Sequence, residues 1–313
     1  VKDISEHTMR AIQLAENLNV KGFPGGWHPV SEKHLFEAEY WELQQKKLLN
    51  TNKSKEIQNT NLEFEGKISI VTGAASGIGL ASAIELEKQG SVVVGLDCNP
   101  KILKLFSGSS IYGIQCDVTD QNAIRDAVKK TISSFGGLDI LILNAGTFPS
   151  GMTIEEMEED AWSESLEINL TASQKLLKEC VPYLKEGIDP TVIFIASRNV
   201  LAPGPGASAY SVPKAGQTQL ARIAALELGK YGIRVNILHP DCVYDTGIWT
   251  PEALNSSAKR YGLTVEKYKS RNILKKNVTS NEVARMVCTM ASSVFAKTTG
   301  AQIPIDGGNE RVI

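Results

Sequence analysis

The chain has 313 residues, 42% of them hydrophobic and 22% charged, with a formal net charge of -2. This length and balance suit a globular protein with one large α/β domain or two small ones. The near-neutral charge gives no electrostatic footprint for nucleic acid or an anionic membrane as partner.

Five cysteines, at 98, 116, 180, 242 and 288, are scattered without a C-x-x-C pair. They read as reduced core thiols rather than a disulfide framework or a ligand set, and no metal is expected. No apolar run approaches the ~20 residues of a membrane span. The opening V-K-D-I-S-E-H also lacks the apolar segment of a signal peptide, so a cytoplasmic protein is expected. A chain that opens at Val1 rather than Met reads as a piece of something longer.

Residues 1–49 read as a helical extension. Ile4, Ala11, Ile12, Ala15 and Leu18 share one helical face, and G-F-P-G-G-W at 22–27 interrupts it. Ser31 is placed to cap a second helix whose apolar stripe includes Leu35, Phe36, Tyr40, Trp41, Leu43 and Leu48. Polar, aperiodic residues follow, and 50–63 are assigned to a linker.

From residue 64 to 313 short β-branched runs alternate with helical stretches. Strands are predicted at 68–72, 92–97, 111–116, 140–143, 192–196, 233–238 and 302–305. Helices are predicted at 78–89, 121–135, 162–184, 210–230 and 281–291. Such alternation predicts a doubly wound α/β (Rossmann) domain with a seven-stranded parallel sheet and helices on both faces. Its ligand crevice belongs at the carboxyl ends of the strands.

The first predicted strand runs into T-G-A-A-S-G-I-G at 72–79. Gly73, Gly77 and Gly79 permit a tight turn and close approach to a phosphate, and the helix start at Ser76–Ile78 offers N–H groups to an anion. The spacing differs from the common G-x-G-x-x-G, and a glycine-rich turn also serves ordinary strand-to-helix connections. Asp97 ends the second strand, where a carboxylate meets the ribose hydroxyls of NAD and repels the extra phosphate of NADP. NAD is therefore expected over NADP. Asp117-Val118 and Asn144-Ala145-Gly146 supply polar groups at two further strand ends.

Among the eight tyrosines, Tyr210 alone has a lysine at the fourth position after it. On a helix, Tyr210 and Lys214 share a face, and a cation beside a phenol favours the phenolate. Taken alone, the pair also fits a solvated helix face.

Together these motifs resemble the short-chain dehydrogenase/reductase family over residues 64 to 313. The resemblance implies a catalytic tetrad of Asn169, Ser197, Tyr210 and Lys214, with Asn169 holding a relay water. It also implies an adenine contact at Asp117, and T-G-A-Q-I-P-I-D-G-G at 299–308 as the last strand. Leu143 replaces the first Asn of the N-N-A-G motif. After the sixth strand stands H-P-D-C-V-Y-D-T-G, where Asp241 replaces a Gly and either Asp245 or Thr246 takes the place of a Thr. Pro240 and Val243 remain as nicotinamide contacts. A homo-oligomer, a tetramer by resemblance, is expected.

F-E-A-E-Y-W-E-L-Q-Q-K-K-L at 36–48 is similar to the junction in bacterial fusion proteins. There a class II aldolase of the rhamnulose-1-phosphate type precedes a short-chain dehydrogenase. Four histidines, at 7, 28, 34 and 239, form no zinc cluster, so aldolase activity is not expected.

The chemistry implied is reversible hydride transfer on a small-molecule substrate. Lactaldehyde leads, a sugar-alcohol phosphate of the sorbitol 6-phosphate type is second, and a non-catalytic NAD-binding scaffold is the alternative class. Arg198 and Asn199 are candidate substrate readers or structural loop residues. A lid at 251–276 carries Lys259, Arg260, Lys267, Lys269, Arg271, Lys275 and Lys276, which could meet a phosphate.

Overall fold

The short apolar runs become strands because both of their faces are covered, so none needs a polar side. In the computed structural model, which describes residues 62–106, 109–149 and 151–308, β1 (Ile68–Thr72) and β4 (Ile140–Leu143) are buried at every position. The same holds for β5 (Thr191–Ile195) and β6 (Arg234–Pro240). With β2 (Val92–Asp97), β3 (Ile111–Gln115) and β7 (Gln302–Ile305) they form one parallel sheet in the order β3-β2-β1-β4-β5-β6-β7. The expected helical extension at 1–49 lies outside the described residues, as does most of the linker. The described residues from Glu63 onward fall in one unit.

The strand order places the switch point between β1 and β4. The chain builds outward from β1 to β3 on one side and then restarts at β4 on the other. Loops leaving these two strands diverge, and a crevice opens between them.

Helices accompany the sheet at the expected stretches and also at 102–105, 251–260 and 265–269. These include α1 (Gly77–Lys88), α2 (Ile102–Leu105), α3 (Gln121–Phe135), α4 (Glu159–Leu166), α5 (Ala172–Leu184) and α6 (Ser208–Leu228). Further along are α7 (Pro251–Arg260), α8 (Val265–Lys269) and α9 (Ser280–Ala291). Helix α3 starts at Asp120, whose carboxylate accepts from the Asn122 and Ala123 N–H groups, and stops at left-handed Gly136. A capping box between Thr279 and Glu282 opens α9. At the other end of α9 the Arg234 guanidinium donates to the carbonyls of Met290 and Ala291 at 2.9 and 2.8 Å, satisfying acceptors a helix end leaves open.

One predicted element differs. The single helix expected at 162–184 starts earlier and is broken by a π turn over Glu167–Thr171. The wide turn carries Asn169 inward to full burial, and π turns of this kind cluster at functional sites. Among the described residues no helix is long and apolar enough to cross a membrane.

The amino edge of the sheet is tied by one buried carboxylate. Asp139 accepts from Ile68 N at 2.8 Å and from Ile188 N at 2.7 Å. Its own backbone N–H donates to Ile68 O, and its carbonyl accepts from Thr191 N. Asp139→Ala strands two N–H donors, and a loss of roughly 2–4 kcal/mol in urea unfolding is expected. Because this edge is opposite the crevice, substrate KM should stay within about twofold of wild type.

Candidate active site

β1 has only a few residues in which to turn into α1. Gly73 and Gly77 manage it with φ of 66° and 52°, and a Cβ on Gly79 would overlap the Gly73 carbonyl. Ser76, at the helix start, makes no side-chain cap, so the first-turn N–H groups are left for an anion in the crevice. Thr72 Oγ1 accepts from the N–H groups of Asn144 and Ala145, each at 2.9 Å. Asn144 Nδ2 donates to Thr72 O at 2.9 Å. These bonds lock the ends of β1 and β4 together.

Between these strand ends lies a cleft of about 570 Å³. Asp97 stands at its far end with one carboxylate oxygen on Ala75 N and the other on Asn99 N, both at 2.9 Å. Asp117 is held by Thr119, whose hydroxyl donates to it at 2.7 Å. Among the described residues lining the cleft, Lys214 is the only lysine or arginine, and it stands apart from Asp97 and Asp117. The glycine cradle, the open helix start and this carboxylate fit a dinucleotide whose adenosine ribose carries free hydroxyls.

The chemical half is built on α6. Ser197 follows β5, and its hydroxyl hydrogen-bonds the Tyr210 phenol. The imidazole of His239 meets the Ser197 carbonyl at 2.9 Å and Gln302 Oε1 at 3.2 Å. This fixes where β5 hands over to the Ser197 turn. Burial raises the Tyr210 pKa above the usual phenol value, and the Ser197 bond opposes it. Burial lowers Lys214 to about 7. Its Nζ lies 6.0 Å from the Tyr210 ring centroid and donates to Ile195 O at 2.8 Å. In the protein alone the phenol is therefore not depressed, because desolvation outweighs the Ser197 hydrogen bond.

A proline explains how Asn169 is aligned with this helix. Pro213 has no N–H, so the Ala209 carbonyl, four residues back, lacks its helical donor. Ser165 Oγ supplies one at 2.6 Å and itself accepts from Asn169 Nδ2 at 2.9 Å. Asn169 also brackets Thr147, donating to its carbonyl at 3.0 Å and accepting from its N–H at 3.1 Å. Both Nδ2 donors are thus spent on protein. Oδ1 and Lys214 Nζ face the same space beside Gly146, where a Cβ would lie 2.7 Å from one and 3.5 Å from the other.

Of the residues expected from sequence, all line the cleft except Gly79, which packs under Gly73, and Arg198. Arg198, read from sequence as a substrate reader or a structural loop residue, lines a side pocket next to the cleft rather than the cleft itself. Its guanidinium is buried in an ion pair with Asp306 at 2.7 Å, tying the Ser197 turn to the strand-end loop after β7. Asn199 does reach the cleft. Thr246, not Asp245, faces it; Asp245 accepts from Ser280 N and Oγ at 3.1 and 3.0 Å and so anchors α9.

Residues not singled out from sequence also line the site: Thr147, Phe148 and Trp249. Phe148 packs on Tyr210 with ring centroids 4.6 Å apart. Its place just after Asn-Ala-Gly was the available signal. Asp241 faces the cleft and pairs with Arg271 at 3.5 Å. A side pocket of about 50 Å³ adjoins it, and of the lid cations only Arg260 and Arg271 line that pocket.

Comparison with known proteins agrees with this geometry. The family described as Enoyl-(Acyl carrier protein) reductase matches residues 73–310, and Aldolase class II, second domain, matches residues 1–48. The short chain dehydrogenase/reductase astE of Aspergillus oryzae is 34% identical over 78% of this chain and 95% of its own length. The uncharacterized oxidoreductase YuxG of Bacillus subtilis is 30% identical over 91% of this chain, which spans only 42% of YuxG. The crystal structure of NAD+-bound xylitol dehydrogenase is 26% identical, with a TM-score of 0.74 over 79% of this chain and 100% of that one. The chain belongs to the short-chain dehydrogenase/reductase family of NAD(P)-dependent oxidoreductases.

Proposed function

We propose that the chain interconverts a hydroxyl and a carbonyl on a small uncharged hydroxyaldehyde, polyol or sugar derivative, with NAD as cofactor and lactaldehyde as the leading substrate. The observation that carries this is the meeting of Ser197, Tyr210 and Lys214 with the glycine cradle in one cleft. Among the described residues no lysine or arginine lines the cleft beside Asp97, which supports NAD over NADP. Bound NAD supplies the hydride acceptor and a positive ring.

The protein's part is to manage one proton. Tyr210 takes it from the substrate hydroxyl or returns it, and Ser197 donates a hydrogen bond to the developing alkoxide. Lys214 supports the phenolate, while Asn169 holds a water through the remaining lone pair of Oδ1. Bringing a phenol into use near neutrality asks for ~2–3 pKa units, roughly 3–4 kcal/mol. Burial sets the starting point against it, so the charge of Lys214 is indispensable.

For the substrate, the aldolase match at 1–48 supports an aldehyde released by aldol cleavage, and so a place in rhamnose metabolism. A phosphorylated polyol is favoured by the cations of the side pocket, Arg260, Arg271 and the ion-paired Arg198. Against it, the Asp241 carboxylate balances Arg271 and faces the same space, where it would repel a phosphate. Asp241 suits instead the hydroxyl donors of a neutral substrate. A cytoplasmic homo-tetramer accompanies this reading, supported by free thiols among the described residues and by the exposed Ile223 and Leu226 on α6.

Absorbance at 340 nm with NAD or NADP against lactaldehyde, polyols and polyol phosphates tests the proposal. NAD-linked turnover of an uncharged member is expected; NAD binding with no turnover on any of them would leave a scaffold. Tyr210→Phe should lose at least a hundredfold in kcat, and near-normal turnover would refute its role. Asp241→Ala should raise KM for uncharged polyols about tenfold, the loss of a charged hydrogen bond, and improve any residual use of phosphorylated ones.

Lys214 also makes stability depend on pH. Its pKa of about 7 lies below the ordinary 10.5, so the unfolded chain binds more protons between those values. The cost of burying it is full below pH 7 and fades as pH rises toward 10.5. Lys214→Met should therefore gain stability over wild type most at pH 6, with the gap closing by pH 10, while turnover is lost.

A further inference from the structure

We propose that Gln217 is a positioning residue of this site. Its amide oxygen, aimed by Ser173, holds the Lys214 ammonium so that a single N–H remains for the cleft. The inference rests on the hydride-transfer reading for its kinetic consequence but not for its geometry.

An ammonium has three donors and no acceptor. Lys214 Nζ gives one to Ile195 O at 2.8 Å and a second to Gln217 Oε1 at 3.1 Å. The third faces the space beside Gly146, where Nζ comes within 3.5 Å of a Cβ position. Gly146 and Lys214 both line the cleft.

The Gln217 amide cannot be turned around without cost, since its NH₂ would then meet the ammonium donor to donor. Ser173 fixes the sense by accepting from Gln217 Nε2 at 2.8 Å. Gln217 is fully buried. Ser173 stands just beyond the π turn and Ser165 just before it, so one distorted helix braces α6 at two points.

The choice of an uncharged acceptor matters chemically. The titratable groups around Lys214 include Tyr210 on its own helix and His239 on β6, and Cys242, on the loop after β6, acts on Tyr210. None of these supplies a negative charge at neutral pH. The Gln217 carbonyl dipole therefore stabilises the cation without cancelling the field that Tyr210 feels. A carboxylate at 217 would hold the lysine more firmly and weaken its action on the phenol.

Two variants give opposite signs. Gln217→Met keeps the volume and removes the acceptor, and Gln217→Glu keeps an acceptor and adds charge. The Lys214 side-chain CεH₂ resonance, assigned by its absence in Lys214→Met, reports protonation by NMR without substrate. Its midpoint should fall by about one pH unit in Gln217→Met and rise by at least as much in Gln217→Glu. Ser173→Ala should move it down by less, which keeps the test decisive if Gln217→Met folds poorly.

For oxidation, the acid limb of kcat/KM should move to higher pH in both Gln217 variants, with about a tenfold loss at pH 7. In Gln217→Met the lysine carries less charge, and in Gln217→Glu its charge is offset. Wild-type Lys214 midpoints in both variants would overturn the inference. An inactive wild type would instead defeat the proposed function and leave the NMR result to judge Gln217.

Discussion

Lys214 keeps a charge where water has been removed, and much of the surrounding structure follows from making that tolerable. Burying an ammonium costs several kcal/mol unless carbonyl groups replace its hydration. The replacements come from two different layers: the end of β5 through Ile195, and α6 itself through Gln217. Neither acceptor is charged. The ammonium is left weakly held, with burial lowering it to about 7, and so it responds to whatever negative charge appears beside it. A phenolate at Tyr210 is such a charge, which makes each group's ionisation depend on the other's.

The same economy governs the backbone. Pro213 stands one residue before the lysine and removes a helical bond, yet the vacancy at Ala209 is filled from α4 by Ser165. The repair runs on through Asn169 to Thr147, so the helix bearing Tyr210 and the loop leaving β4 are joined by one string of hydrogen bonds. The π turn makes the string possible, because it brings Asn169 inward between Ser165 and Ser173. A regular helix would carry Asn169 to a different angle and break the register of both serines.

How much of this was legible in the sequence depended on range. All seven strands were legible, with ends within a few residues, because strands covered on both faces show as continuous apolar runs. The cofactor turn and the Tyr210/Lys214 pair were legible because each is a local spacing. The fate of polar side chains was not. Arg198 stayed open between substrate reader and structural loop residue, because its partner Asp306 comes only after β7 in the chain. Asp245 and Thr246 were indistinguishable until α9 claimed the first through Ser280. The π turn left no periodic trace, since one wide turn shifts the apolar pattern by less than the pattern's own scatter. Gln217 was invisible for a related reason: its partners Ser173 and Lys214 meet only when two helices pack.

The ion pairs outside the tyrosine and lysine divide the cleft by charge. Arg198 is consumed by Asp306 and Arg271 is balanced by Asp241, so the cations that could have drawn an anionic substrate inward are mostly neutralised. Asp97 and Asp117 make the other end acidic as well. A site with carboxylates at both ends and one weakly held ammonium in the middle favours a positively charged ring over the middle and an uncharged substrate beyond it. It also raises the penalty for a second phosphate at either end. Cofactor preference and substrate charge are on this account two consequences of one field, set by where the carboxylates stand relative to Lys214.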